Sequence, residues 1–350
     1  MLVYAYIASA LTAIIVGLIA TPLAVKLGKA LGFVSSPRDV EIERSPAADL
    51  GGLPVLIAIL CATLVAYRIY PIPFEGYSRA VGGILLGTVI VAFMGFIDDR
   101  KNLGAGLKFG VQLCSVIVAL YFGMRISYIS NPFNTILELG VFSIPVTALW
   151  IVGMMNAVNF VDGLDGLAPG VLAIAALALF AISSHHNFQF LAIIFLAIFG
   201  ANLAFLRFNY PPASIILGNM GAYSLGFLFA TASIVQPVKA GTAMVLFIPL
   251  LALGFPMVEI IVTVLRRLVK RKKIYQRDAA HLHHVLLALG LPPSLVDWIF
   301  YSISLLFATV AVALSVGNRN IMIFFLAGLL FVFIVVCFKL AALERRNVGK

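Results

Sequence analysis

Long apolar stretches alternate with short polar clusters along the whole chain, and the stretches are of membrane-crossing size. They lie near 2–27, 51–70, 79–97, 105–123, 143–161, 166–184, 188–206, 219–237, 241–265, 294–314 and 319–341. A bilayer core takes about 20 apolar residues per helix, so the pattern predicts an all-α polytopic membrane protein of about 10–11 transmembrane helices. The breaks are shortest inside 143–184 and 219–265. The first stretch has no basic leading region and is too long for a signal-peptide core, so it reads as a retained span. No soluble domain fits between the spans, and 1–350 reads as a single integral-membrane domain.

Several interruptions have local meaning. Residues 33–50 form the first polar loop, after which Gly51-Gly52 opens the second span and allows close helix packing. The β-prone residues flanking Asn131-Pro132 predict a small hairpin. Pro211-Pro212 rules out a continuous helix through that point. Four segments then carry nearly all the polar chemistry: 95–104, 156–166, 207–226 and 266–284.

Composition agrees with the pattern. The chain is 62% hydrophobic and 11% charged, with mean hydropathy +1.10, which excludes a soluble globule and a disordered chain alike. The net charge of +10 needs no nucleic acid to explain it. With the N-terminus outside, the inner loops hold Lys29, Arg38, Arg44, Arg100, Lys101, Arg207, the basic run from Arg266 to Arg277, and Arg345, Arg346 and Lys350. The outer side keeps only Arg68, Arg79, Arg125, Lys239 and Arg319. Positive-inside topology and anionic headgroups account for this bias, and they place the four polar segments on the cytoplasmic face of the inner (plasma) membrane. Cys61, Cys114 and Cys337 fall within spans and read as packing residues.

Carboxylates at span ends are costly and mark candidate sites. Asp98-Asp99 closes one span; such neighbours repel unless a cation or a shared proton relieves them. Asn156, Asn159, Asp162 and Asp165 recur every third residue, so a continuous helix would set them along one slowly drifting face. Paired carboxylates with amide oxygens suit a hard cation, and a hard cation at a membrane surface points to phosphate chemistry. Asp278-Ala-Ala-His281-Leu-His283-His284 could anchor a pyrophosphate; it lacks the soft ligands of a structural zinc site. His185-His186 has no acidic neighbour and reads as structural.

Taken in order, these segments resemble the polyprenyl-phosphate N-acetylhexosamine-1-phosphate transferases, the group of the WecA, TagO and MraY enzymes. The motifs are Asp98-Asp99-Arg-Lys-Asn102, Asn156-x-x-Asn159-x-x-Asp162-Gly-x-Asp165-Gly, Phe208-Asn209-x-Pro-Pro212-Ala through Gly218-x-x-Gly221, and His281-Leu-His283-His284. The last motif is similar to the branch that uses UDP-N-acetylglucosamine. The resemblance implies transfer of N-acetylglucosamine-1-phosphate to undecaprenyl or another polyprenyl phosphate, with release of UMP, in a homodimer among membrane lipids. It implies catalytic roles for Asp98, Asp99, Asp162 and Asp165. Asn156, Asn159, Asn209, Arg100, Asp278, His281, His283 and His284 would bind substrate. Asp98, Asp99, Asp162 and Asn219 would hold magnesium, with manganese as the alternative ion.

The chain also departs from the family pattern. Asn219 stands where the family has a metal-binding aspartate, Ala222 where a serine is usual, and Ser214 where a lysine is common. Ser35, Glu41 and Glu43 replace an aspartate, a basic residue and a histidine, and Ala279 replaces an arginine. These changes keep open a second reading, a catalytically disabled homologue that binds lipid phosphate or nucleotide. An ion-coupled transporter is the weaker third reading, because its polar residues would lie near mid-membrane.

Overall fold

The computed structural model describes residues 1–35, 47–130, 136–235, 251, 253, 254, 256–258 and 286–316. The described helices are α1 (Leu2–Ala30), α2 (Gly52–Ile69), α3 (Ser78–Lys101), α4 (Ala105–Tyr121), α5 (Ser143–Val161), α6 (Leu167–His185), α7 (Gln189–Asn209), α8 (Gly218–Ile234) and α9 (Pro293–Val316). Seven of them are long and apolar enough to cross a bilayer. The protein is an all-α polytopic membrane protein. The span predicted at 319–341 and most of that at 241–265 lie outside the described residues, as do Glu41, Glu43, Asp278, Ala279, His281, His283 and His284.

On α1 small residues face inward and large ones outward, a pattern of helices that associate in lipid. In α1 the buried positions are Ala5, Ser9, Ala13, Gly17, Thr21, Ala24 and Gly28, one every three or four residues. Leu11, Ile15 and Leu23 on the other face are exposed. The buried stripe packs on α2 and α7. At the centre, α8 is buried from Gly221 to Ile234 and takes α3 on one side and α5 on another. α6 packs between α7 and α9.

Glycines let these helices touch backbone to backbone. A Cβ on Gly95 would lie 2.5 Å from both the Cα and N of Met220, so α3 meets the first turn of α8 directly. Gly52 likewise abuts the Gly221 backbone, which fulfils the close packing anticipated for the Gly51-Gly52 pair.

Two antiparallel ribbons decorate the ends. β1 (Val34–Ser35) pairs with β2 (Ala47–Ala48), so Ser35 sits on an edge of the first loop. The anticipated hairpin appears as β3 (Tyr128–Ser130) and β4 (Ile136–Glu138). At that end Arg125 donates to Ser143 Oγ and the Gly140 carbonyl. His186, just past α6, pairs with Ser315 Oγ at 2.7 Å.

The turn between α3 and α4 is tied by a charge pair. Asp98 Oδ1 accepts from the Leu103 amide at 2.8 Å, and Lys108 Nζ lies 2.7 Å from Asp98 Oδ2. α3 ends at Asn102, whose φ of 52° is tolerated by asparagine better than by most residues. The Asp98 charge is thus paired within the protein, by a lysine.

Two outcomes follow for an unfolding midpoint measured in detergent. Gly95→Leu should push α3 off α8 and cost about 1–3 kcal/mol. Lys108→Met should strand the Asp98 charge at a cost of about 3 kcal/mol, the lower end for a buried pair because Lys108 is partly exposed. Adding Asp98→Asn to Lys108→Met should recover most of that loss.

Candidate functional site

Three of the polar segments, 95–104, 156–166 and 207–226, converge at one end of the bundle because each includes a helix end there. Asp98 and Asp99 are adjacent on α3 and so point in different directions, Asp98 to α4 and Asp99 to α8. Asp99 Oδ1 accepts from the Asn219 amide at 2.8 Å and Oδ2 from the Met220 amide at 3.1 Å. No side chain at the start of α8 caps it, so the cap comes from α3. A carboxylate at a helix N-terminus is favoured by the exposed amides and by the helix dipole.

A second carboxylate meets Asp99 over Gly218. A Cβ on this glycine, at φ 71°, would lie 2.7 Å from Asp49 Oδ1 and 2.9 Å from Asp99 Oδ2. Asp49 is placed by its amide, which donates to the Phe33 carbonyl at 2.9 Å. The two carboxylates line a cavity of about 230 Å³ with Gly32, Phe33, Val34, Phe96 and Arg100. The Arg100 guanidinium lies 3.2 Å above the centre of the Phe33 ring, which orients a cation at the cavity wall.

α5 supplies the next contributors, and here the one-face expectation is corrected. The helix stops at Val161; Asp162 is its C-cap and Asp165 lies in the following turn. The glycines after each aspartate let the chain turn, and Gly166 takes a φ of 81°. Asn159 Nδ2 donates to Asn219 Oδ1 at 2.7 Å, joining the end of α5 to the start of α8. Asn156 instead turns to α4 and donates to Gln112 Oε1 at 3.1 Å.

The turn after α5 is held by the segment after α7. Pro211 and Pro212 end that helix, and Asn209 clamps the turn: Oδ1 accepts from the Gly166 amide at 2.9 Å, while Nδ2 donates to the Ile215 carbonyl at 2.7 Å. Asp165, 8% exposed, accepts from the Ala213 amide at 3.1 Å through Oδ2. This segment is stitched to the first loop by Ala48 N to Ser214 O at 3.1 Å and Ile216 N to Ala48 O at 2.9 Å. Ser214 itself is exposed and donates through Oγ to the Phe208 carbonyl, and Ala222 is buried inside α8.

Asp49, Asp99, Asn159, Asn219 and the Asp162–Gly166 turn therefore form one neighbourhood. Asp98 is engaged by Lys108 at its edge. Among the described residues no three His, Cys, Asp or Glu side chains gather closely enough to hold an ion alone. The donors gathered here among the described residues are oxygens, from Asp49, Asp99 and the Asn219 amide. A hard dication bound by one or two carboxylates and completed by water and phosphate fits such a set. Sequence reasoning missed Asp49, Lys108 and Gln112. Asp49 had a signal, an acid directly before the Leu50-Gly51-Gly52 start of a span, and Lys108 and Gln112 are isolated polar residues within one.

The family model described as Glycosyl transferase family 4 matches residues 81–236. A probable undecaprenyl-phosphate N-acetylglucosaminyl 1-phosphate transferase of Bacillus subtilis is 31% identical over 90% of this chain and 85% of its own length. A decaprenyl-phosphate N-acetylglucosaminephosphotransferase of Mycobacterium leprae is 32% identical, covering 80% of this chain and 76% of that protein. A phospho-N-acetylmuramoyl-pentapeptide-transferase of Caldicellulosiruptor bescii is 32% identical over 85% of this chain and 93% of its own. The likeness thus runs well past the central match, through the same helix ends that build the polar neighbourhood, and the chain belongs to the glycosyl transferase 4 family of polyprenyl-phosphate N-acetylhexosamine-1-phosphate transferases.

Proposed function

We propose that this chain transfers N-acetylglucosamine-1-phosphate from UDP-N-acetylglucosamine to undecaprenyl phosphate or a similar polyprenyl phosphate, at the cytoplasmic face of the cell membrane. The observation that carries the reading is the joining of Asp99, Asn219 and Asn159 where α3, α8 and α5 end or begin, on a chain similar to the Bacillus subtilis and Mycobacterium leprae transferases. A phosphate oxygen of the lipid forms a bond to the β-phosphorus of the nucleotide sugar. The bond from that phosphorus to the bridging oxygen breaks, and UMP leaves with the electron pair.

The protein's part is positioning and charge control. Asp99, fixed by two amides, presents a carboxylate oriented before substrate arrives. Arg100, stacked on Phe33, faces an incoming phosphate. Asp162 at the end of α5 would face the nucleotide side, and Asp165 holds the turn behind it through the Ala213 amide. Asp49, Asp99 and Asn219 would hold magnesium, which when bound screens the negative charge of the pyrophosphate. The histidines at 281, 283 and 284 would contact the phosphates or sugar.

A second reading, a disabled homologue that binds without turnover, is favoured by one contact. The Asn219 side-chain oxygen already accepts from Asn159, and an amide brings no charge to a cation. Transfer of labelled sugar phosphate from UDP-N-acetylglucosamine to polyprenyl phosphate separates the two. The chain as it stands should transfer, chelation with EDTA should stop it, and Asp99→Asn should lower the rate by about 10²-fold or more. Asn219→Asp should reduce the magnesium needed for half-maximal rate. Transfer by Asn219→Asp alone would select the disabled-homologue reading.

A further inference from the structure

Behind the Asp162–Gly166 turn, α9 presents two polar residues one helical turn apart. Asp297 is fully buried, and neither carboxylate oxygen has a hydrogen-bond partner among the described residues. Tyr301, also buried, donates through Oη to the Gly166 carbonyl at 2.7 Å. A Cβ on Gly166 would lie 3.0 Å from Asp297 Oδ2 and 3.2 Å from Tyr301 Oη, so both groups stand against this one residue. Its amide is held from the other side by Asn209. The Tyr301 ring fills the notch left by Gly170, one turn further along α6, and fixes the height of α9 against it.

A buried carboxylate without a hydrogen bond costs stability and persists where something else requires it. What stands beside Asp297 is Gly166, the residue that precedes α6. The carboxyl group and the tyrosine hydroxyl thus bear on the same residue, one by close approach and one by hydrogen bond. Gly166 follows Asp165 directly and lies four residues beyond Asp162.

We propose that Asp297 and Tyr301 are positioning residues, which set the Gly166 peptide and through it the Asp162 and Asp165 carboxylates for phosphoryl transfer. The proposal rests on the transferase reading above for its catalytic consequence, and on α9 alone for its structural content.

The test uses the full-length chain in detergent and in liposomes, with Asp297→Asn and Tyr301→Phe, which keep the shape of each side chain. Asp297→Asn replaces a buried carboxyl group by an amide of the same shape, so its unfolding midpoint should change little while kcat falls about tenfold and KM stays within about twofold. Tyr301→Phe should show a similar kcat loss with an unchanged midpoint, because the ring still fills its notch. The double variant should lose little more than either single one, since both bear on one residue. Unchanged kcat in either variant, or kcat and midpoint falling together, would overturn the proposal. Should the parent chain transfer nothing, the transferase reading fails by itself, and amide exchange decides the positioning claim. Faster exchange of residues 162–167 in both variants supports it; exchange equal to the parent rejects it.

Discussion

The grip of Asp99 on the first amides of α8 is the contact on which the site depends. A helix leaves its first amides without partners, and α8 begins inside the bundle with no cap of its own. Asp99 reaches it from α3 only because Gly95, one turn earlier, lets the two backbones touch. The same approach brings Gly218 under Asp49 and sets Asn219 beside Asn159. Packing and chemistry are therefore one arrangement here: the small residue that permits the helix contact also delivers the carboxylate.

Much of this was readable from the sequence, for identifiable reasons. The nine described helices match predicted spans because lipid demands about 20 apolar residues and proline, glycine and charge end them. The hairpin at 128–138 announced itself by β-prone residues around an Asn-Pro pair. The polar segments were visible because charge is rare in this chain.

What escaped was direction. A three-residue spacing predicted one polar face, yet α5 ends at Val161 and the following glycines redirect Asp165 toward the Pro211-Pro212 segment. Asn156 turns to Gln112, a partner on another helix that no local pattern reveals. Asp98 and Asp99 are sequence neighbours with separate tasks, because adjacent positions on a helix differ by about 100°. Lys108, Asp49 and Asp297 belong to no local motif. Each gains meaning only from a tertiary neighbour.

The stitching of Ala48 to Ser214 and Ile216 has a bearing on how the protein is made. The strand partner of the earliest loop belongs to a segment synthesised after α7, when seven of the described helices already exist. Until then Asp49 has neither Gly218 nor Asp99 arranged around it. Contacts of such long sequence separation form late. Biogenesis of the site is thus an end-stage event: the spans can insert one by one, but the polar neighbourhood closes only when the N-terminal loop and the α7–α8 connection meet.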